Sequence, residues 1–330
     1  MGIFDDVTGI TRPGQANGAG GITALMLEEF AGLVQGTLER KSVLAPRIPI
    51  KTVRGTNTIT NFGVGKSTLQ ALVPGQTPNG TPTKFGKASM TIDTTIIARA
   101  ALPVLETFQT SYDARSEIAK EHAKELAKQY DQTFFIQAIK AGDLTANRFG
   151  LTAAGHTGGS QVTLAGANDY LDPAMLYQGL VDLITQMRLK DVDPVTDGVI
   201  IGVGHQEFAT LSMAELLVNS EYKTADGTSI PQMLLKAHGV AVVPSNNFPG
   251  GQNITGNILS NAGNGNAYDG DFTKHLAVAW APEALLAGET IALTPEVFWD
   301  KLSKSWFIDA YRAFGVAPSV AAFAGTLKKP

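Results

Sequence analysis

The chain lacks cysteine, carries few charges and contains no long apolar run. Without cysteine, disulfides, thiolate metal sites and cysteine nucleophiles are excluded. Charged residues make up 17% of the 330 residues, against a typical ~25%. The net charge of −4 argues against a dedicated nucleic-acid-binding protein, which usually carries a basic stripe. Any nucleic acid associated with this protein is therefore expected to be enclosed by it rather than bound tightly.

The apolar segments are too short to cross a membrane. The longest candidate, residues 276–287, is interrupted by Pro282 and Glu283. Residues 1–6 contain two acids and no basic residue, so no signal peptide is expected. We expect the protein to stay in the compartment where it is made.

Glycine is over-represented, with 35 residues. Together with the low charge, this fits either a loop-rich monomer or a subunit whose surface is largely covered by other subunits. We favour the second interpretation.

Residues 51–141 are the most informative stretch. A polar excursion punctuated by glycine and proline (51–87) leads into a strand-like segment (88–105) and a helix predicted over 112–141. If the excursion is a β-hairpin, each arm of ~18 residues reaches about 60 Å, whereas a compact chain of this length has a radius of gyration of only ~20 Å. A projecting hairpin beside a long helix is typical of a subunit that reaches over its neighbours.

The long helix is predicted to keep one side wet and to end at Gly142. Outside its apolar stripe the helix carries i,i+3 pairs of glutamate and lysine, each contributing ~0.2–0.5 kcal/mol to helix stability. The apolar stripe consists of Ile118, Ala119, His122, Leu126, Tyr130, Phe134 and Ala138.

The rest of the chain mixes helices and strands without regular βαβ alternation, which indicates an α+β fold. Residues 1–22 are Gly-rich, and residues 23–39 predict an amphipathic helix that either docks elsewhere or packs on its own core. Further helices are predicted over 172–189 and 204–217, and a long loop over 245–271. Strands are predicted over 197–203, 239–244, 276–280, 284–293, 306–316 and 320–323.

The motifs that carry chemistry are incomplete. Gly65-Lys66-Ser67 suggests a phosphate-binding P-loop, but Thr60 stands where the first glycine is required. The five histidines are scattered, so no metal or cofactor is expected. The aromatic residues between 298 and 314 are interpreted as core or subunit contact rather than a base-stacking platform.

The order of elements resembles the major capsid protein of tailed bacteriophages, the Hong Kong 97-type fold. Residues 53–54 and 64–75 resemble the extended loop of T-seven-like short-tailed phages. Residues 112–117 are similar to the start of that family's spine helix, and residues 240–244 to a late strand of its axial domain. Some relatives cross-link covalently through a lysine of this loop. The Pro74-Gly75 turn has no lysine, so cross-linking is not expected here.

The resemblance implies an N-terminal arm (1–50), an extended hairpin loop (51–90), a peripheral domain with the spine helix and a Gly-rich loop (91–171), an axial domain (172–280) and returning strands (281–330). It implies a non-enzymatic protein that assembles into hexamers and pentamers of an icosahedral head. The head would enclose double-stranded DNA. Expected partners are further copies of the chain, a scaffolding protein, a portal protein and possible decoration proteins. The expected location is the virion, after assembly in the host cytoplasm.

Seven residues are predicted at subunit interfaces. They are Phe30, Arg54, Lys66, Leu69, Leu72, Gln76 and Arg115. Two rivals stay open. One is an encapsulin-like cellular compartment of the same fold, and the other is a nucleotide-using enzyme built around Lys66.

Overall fold

The computed structural model describes residue 44, residues 49–103 apart from 66, 68, 73, 76, 78, 79, 81 and 82, and residues 114–150, 157–213 and 236–330; for residues 114–117 it describes only the backbone. The helices within these ranges are α1 (Ala114–Asp143), α2 (Pro173–Arg188) and α3 (His205–Ser212). The strands are β1 (Lys51–Thr52), β2 (Thr58–Val64), β3 (Phe85–Thr91), β4 (Ile96–Pro103), β5 (Ser160–Thr163), β6 (Ile200–Val203), β7 (Lys236–Ala237), β8 (Val240–Pro244), β9 (Asn253–Ile254), β10 (Gly270–Asp271), β11 (His275–Trp280), β12 (Leu285–Asp300), β13 (Ser305–Pro318) and β14 (Ala324–Lys328). The helix predicted over 23–39 lies outside the described residues.

The chain divides into two compact units. The larger one includes Ser42–Thr94, Lys128–Thr290 and Ala313–Pro330. The described part of the smaller one falls within Thr95–Ala127 and Ile291–Arg312.

Helix α1 confirms the prediction of one very long helix. Its 30 residues correspond to about 45 Å, and they are rich in the strong helix formers alanine, lysine, glutamate and glutamine. The predicted stripe is buried at Leu126, Tyr130, Phe134 and Ala138. The neighbouring residues 135–137 are buried as well, so α1 is covered on every face over residues 134–138, which lie within the core of the larger unit.

The prediction that Gly142 ends this helix is wrong, because α1 continues to Asp143. A Cβ atom at Gly142 would lie 2.9 Å from the carbonyl carbon of Gly325. The missing side chain therefore serves a close approach between α1 and β14 rather than helix termination.

A six-stranded mixed sheet forms the main core of the larger unit. Its strand order is β5-β14-β11-β6-β8-β7, and the central strand β11 is buried along its whole length. Helix α2 confirms its prediction: Pro173 occupies the first turn, and the Asp172 side chain accepts a hydrogen bond from the Ala174 N–H at 2.9 Å. The apolar residues of α2 that join the core are Leu176, Leu180, Leu183, Ile184 and Met187.

Two predicted strands differ from the structure. The single strand predicted over 88–105 is two strands, β3 and β4, separated at residues 92–95. The break occurs because β3 pairs with β2 whereas β4 pairs with β13. The strand predicted over 320–323 is mostly the 3₁₀ turn Ala321–Phe323, and the strand β14 follows it.

The predicted long loop over 245–271 contains the short antiparallel pair β9–β10 and is ordered by one carboxylate. Asp269 accepts hydrogen bonds from the backbone N–H groups of Gly256 (2.8 Å) and Asn257 (2.9 Å), and from Ser260 Oγ (2.6 Å). These bonds favour the ionised form and lower the pKa of Asp269.

In the smaller unit, β4 and β13 pair so that Arg99 lies opposite Asp309. The guanidinium donates to the Asp309 carboxylate from Nη2 at 2.6 Å and from Nε at 2.9 Å. Asp309 is only 3% exposed, so the charge of Arg99 compensates a buried carboxylate. Arg99 also lies over the stacked rings of Phe298 and Phe307, whose centroids are 5.5 Å apart.

Candidate subunit-assembly surface

The predicted hairpin exists, and its two faces differ. Strands β2 and β3 pair in antiparallel register, with Gly63 opposite Gly86 and Val64 opposite Phe85. Directly opposed residues share a face. Phe62, Val64 and Phe85 lie on the outward face and are 70%, 50% and 71% exposed. Three large apolar side chains in water on a single face are typical of an interaction surface.

The paired arms are shorter than predicted. Each strand has seven residues instead of ~18, and a hydrogen bond from Gly65 N–H to the Lys84 carbonyl (2.8 Å) extends the ladder slightly. None of the described residues from 67 to 84 is in a strand. The prolines of this segment cannot donate to a ladder, and Gly75 has a positive φ of 86°, which suits a tight turn at Pro74-Gly75.

The inward face of the hairpin is fixed to the body by close contacts at glycines. The Ile59 side chain lies where a Cβ atom of Gly288 on β12 would be. The Met90 sulfur lies 3.2 Å from the Cβ position of Gly315 on β13. Glycine in these strands therefore marks the places where a hairpin side chain approaches the backbone.

The predicted interface residues have mixed outcomes. Arg54 is exposed, and Leu69 and Leu72 are 98% and 74% exposed. Phe30, Lys66 and Gln76 lie outside the described residues. Arg115 is in the first turn of α1, where only the backbone is described. Their role as contacts between subunits stays a prediction.

Sequence reasoning missed the outward-facing apolar residues of the hairpin. The signal was present, because Phe62 and Val64 alternate with polar or small residues, as does Phe85 on the returning strand. Their shared face depends on the cross-strand register, in which Gly63 lies opposite Gly86, and the sequence alone did not fix this register.

The local structure does not support a P-loop. A P-loop runs from a buried strand through a glycine-rich turn into a helix. Here β2 is one arm of an antiparallel hairpin through Val64, and none of the described residues from 65 to 84 is helical.

A second polar cluster lies at the end of α1. Asp143 receives hydrogen bonds from His275 Nε2 (2.9 Å), Lys328 Nζ (2.7 Å) and Thr326 Oγ1 (2.8 Å). Burial opposes ionisation of this carboxylate, but the bonds from His275 and Lys328 outweigh it, and the pKa of Asp143 is lowered. The cluster ties α1 to β11 and β14. Within the described ranges, no group of three or more histidine, aspartate or glutamate side chains is placed to hold a metal ion.

A cavity of about 630 Å³ lies beside β3 in the larger unit, and two cationic side chains, Lys140 and Arg148, are among the residues that line it. Lys140 Nζ donates to the carbonyls of Ala267 (2.7 Å) and Asp269 (2.6 Å), and Arg148 donates to the Pro318 carbonyl (3.0 Å). Burial lowers the pKa of Lys140. Because both cations bind backbone carbonyls, they act as internal braces, and we assign no ligand to the cavity.

No helix in the described part of the chain is long and apolar enough to span a membrane.

No protein-family model matches the chain. No curated protein matches it either.

Solved structures of phage capsids do match it almost from end to end. The capsid structure of the cyanophage P-SCSP1u aligns with a TM-score of 0.77 at 17% identity, covering 94% of each chain. The mature capsid of bacteriophage PhiM1 aligns with a TM-score of 0.75 at 22% identity, covering 92% of this chain and 91% of that one. The capsid of Ralstonia phage GP4 aligns with a TM-score of 0.60 at 12% identity, covering 88% and 92%.

These likenesses establish the fold. The chain has the α+β architecture of tailed-phage capsid subunits, and the prediction of a Hong Kong 97-type fold is confirmed. The narrower resemblance to T-seven-like short-tailed phages stays a prediction.

Proposed function

We propose that this protein is the major capsid protein of a tailed phage, which self-assembles into the hexamers and pentamers of an icosahedral head. The observation that carries this proposal is the match to phage capsid structures over 94% of the chain, which leaves little of the sequence for another function. The exposed apolar hairpin supports it independently, because such a surface in a chain with only 17% charged residues calls for a partner.

The hairpin provides the mechanism of assembly. In the proposed shell, its outward face and distal loop lie on a neighbouring subunit. Burial of an exposed leucine such as Leu69 or Leu72 would contribute ~1.5–3 kcal/mol per contact. Each contact is modest, but a closed symmetric lattice repeats it at every subunit and adds the contributions together.

The remaining interface assignments belong to the same proposal. Arg54, Phe30, Lys66, Gln76 and Arg115 would contribute contacts between subunits. The segment 1–50 would act as an arm, 91–171 as the peripheral domain and 172–280 as the axial domain, with residues 281–330 returning through both domains.

The proposed head contains double-stranded DNA without reading its sequence. A net charge of −4 fits containment, because sequence-independent binding to phosphates would need an excess of cations. We propose a structural role without catalysis, assembly in the host cytoplasm with a scaffolding protein and a portal protein, and a final location in the virion. Decoration proteins would bind the finished shell.

Electron microscopy of the purified full-length protein, expressed with and without the scaffolding protein, tests this function. We expect closed shells of uniform size. A chain that stays monomeric at high concentration under both conditions would contradict the proposal. Analysis of the contents of native particles separates the two shell functions, because DNA indicates a phage head whereas an enclosed enzyme indicates an encapsulin-like compartment.

The distal loop offers a sharper test. Replacing residues 66–83 with a short Gly/Ser linker should leave a folded chain that forms no normal shells. This change is preferable to deleting residues 58–83, because it keeps Ile59 in its contact with Gly288. Normal particles from this variant would contradict the role of the loop.

A paired substitution measures the same contact. Leu69→Ser with Leu72→Ser should change the free energy of unfolding of the unassembled chain by less than ~0.5 kcal/mol, because both side chains are exposed. It should raise the concentration needed for assembly by about a hundredfold or more, since two buried leucines are lost per contact. The matched control is Leu189→Ser, which removes another exposed leucine, 81% accessible, outside the hairpin.

A further inference from the structure

One aromatic ring lies directly beneath the hairpin, at the two glycines that face each other. Phe149 is 6% exposed and follows the end of α1. A Cβ atom at Gly63 would lie 2.7 Å from Phe149 Cγ, and one at Gly86 would lie 2.1 Å from the Phe149 carbonyl oxygen. Both distances are shorter than real Cβ atoms make. The hairpin therefore rests on this residue as closely as a backbone can.

Phe149 is itself held from below. Its backbone N–H donates to Asn147 Oδ1 at 2.9 Å, and Asn147 is buried. The adjacent Arg148 donates to the carbonyls of Pro318 (3.0 Å) on β13 and Ser89 (3.4 Å) on β3. The ring thus sits on a braced segment rather than on a free loop.

The contact with Phe149 lies where the hairpin leaves the body. Closer to the base, Ile59 and Met90 contact the body through Gly288 and Gly315. Beyond Gly63 and Gly86 the burial changes, and every described residue from 67 to 85 is exposed. Phe149 therefore supports the hairpin just before its exposed part begins.

We propose that Phe149 is a positioning residue that sets the direction in which the exposed part of the hairpin leaves the subunit. It does so through its close contact with Gly63 and Gly86, which we call the seat. The proposal about the seat concerns the single chain and stands without assembly. Its consequence for shell geometry rests on the proposed capsid function: a hairpin without this support would reach its neighbour at variable angles.

Hydrogen exchange on the dilute, unassembled full-length chain tests the seat. The reporter is the Gly65 amide, whose hydrogen bond to Lys84 lies just beyond the seat. In Phe149→Ala we expect this amide to exchange at least about tenfold faster, while amides of the buried strand β11 keep their rates. The matched control is Phe62→Ala, which removes a ring from the exposed face and should leave the Gly65 rate unchanged. An unchanged Gly65 rate in Phe149→Ala would overturn the proposal.

A pair of double variants distinguishes a seat from general packing. Gly63→Ala alone should also accelerate Gly65 exchange, because its methyl group meets the ring. In the Phe149→Ala background the ring is gone, so adding Gly63→Ala should cause no further acceleration. Gly86→Ala meets backbone atoms of residue 149 instead, so its effect should persist in that background. If both glycine substitutions accelerated Gly65 exchange equally in the Phe149→Ala background, the geometry would be contradicted. If Phe149→Ala does not fold, Gly63→Ala in the otherwise wild-type chain still decides the question, because an unchanged Gly65 rate in that variant would overturn the proposal.

Particle shape separates this inference from the proposed function. Both proposals are supported if wild-type chains form uniform shells while Phe149→Ala chains form irregular particles or none. Hydrogen exchange must first show that the Phe149→Ala chain is folded. Uniform wild-type-like shells from Phe149→Ala would overturn the role in assembly, whereas the exchange data decide the seat by themselves. Failure of the wild type to form shells would contradict the capsid function and leave the exchange result to stand.

Discussion

Replacing Asp143 with alanine is expected to destabilise the unassembled chain by about 3 kcal/mol. The carboxylate accepts three hydrogen bonds at 2.7–2.9 Å, two of them from the basic side chains His275 and Lys328. A hydrogen bond to a charged group contributes ~1.5–3 kcal/mol, and the bonds of one cluster do not add fully. His275 is 6% exposed, so loss of its partner leaves a buried polar group unsatisfied. Asp143 is 30% exposed, which places the estimate toward the lower end of the ~3–5 kcal/mol typical of a broken buried pair.

The assay is urea denaturation of the dilute chain followed by far-UV circular dichroism, because assembly would add its own stabilisation. Asp182→Ala is the matched control, since that exposed carboxylate of α2 bonds Gln178 and should change the free energy of unfolding by less than ~0.5 kcal/mol. A denaturation midpoint for Asp143→Ala equal to that of the control would refute the reasoning.

Acidification provides a second check on Asp143. Its pKa is lowered in the folded chain, so its contribution is fully present above the unfolded carboxyl pKa of ~3.9 and is lost as the pH falls through the folded value. The stability difference between the wild type and Asp143→Asn should therefore be constant near neutral pH and shrink below about pH 4. A difference that grows on acidification would contradict the assigned sign.

Two further predictions concern polar contacts. Arg99→Met should lower the midpoint of thermal unfolding, because Asp309 is left buried without its cation. The midpoint of Arg99→Lys should fall between those of Arg99→Met and the wild type, since lysine cannot make the same bidentate contact. Calorimetry of the unassembled chain measures both midpoints, and equal values for Arg99→Met and the wild type would count against a structural ion pair. Asp269→Ala should lower the local stability of the 245–271 loop by ~1–2 kcal/mol, as loss of a capping carboxylate does, and the amides of Gly256 and Asn257 should exchange faster with solvent. Unchanged protection at both amides would show that the loop does not depend on this carboxylate.

Helix α1 and helix α2 could be predicted because their signals are local. A long run of strong helix formers with an apolar stripe defines α1, and Asp172-Pro173 marks the start of α2. The errors fall where the partner of a segment decides its structure. Gly142 looks like a terminator until the backbone of β14 is placed beside it.

Strand boundaries depended in the same way on pairing. Nothing in the run from 88 to 105 indicates that its first part pairs with β2 and its second with β13. The hairpin could be predicted from its turn residues, but the length of its arms could not, because it depends on which residues of the two strands lie opposite each other.

The candidate site was predictable as a segment and only partly as residues. Leu69 and Leu72 are exposed apolar residues in a polar stretch, and their exposure is visible in the structure. The seat at Phe149 could not be predicted, since it requires the cross-strand register of Gly63 and Gly86 and the position of a ring more than sixty residues away in sequence.

The position of β14 has a consequence for how quickly newly made chains fold. This strand lies between β5 and β11, and its parallel partner Ser160 is separated from Gly325 by about half the chain. Such distant parallel pairing is slow to form, because the entropy of closing the loop is lost before any contact compensates it. The central sheet should therefore be completed late, well after α1 has formed. Newly made chains would then accumulate as a slowly maturing pool. If the chain assembles as proposed, the folding rate, rather than the collision rate of folded chains, would limit how fast shells form.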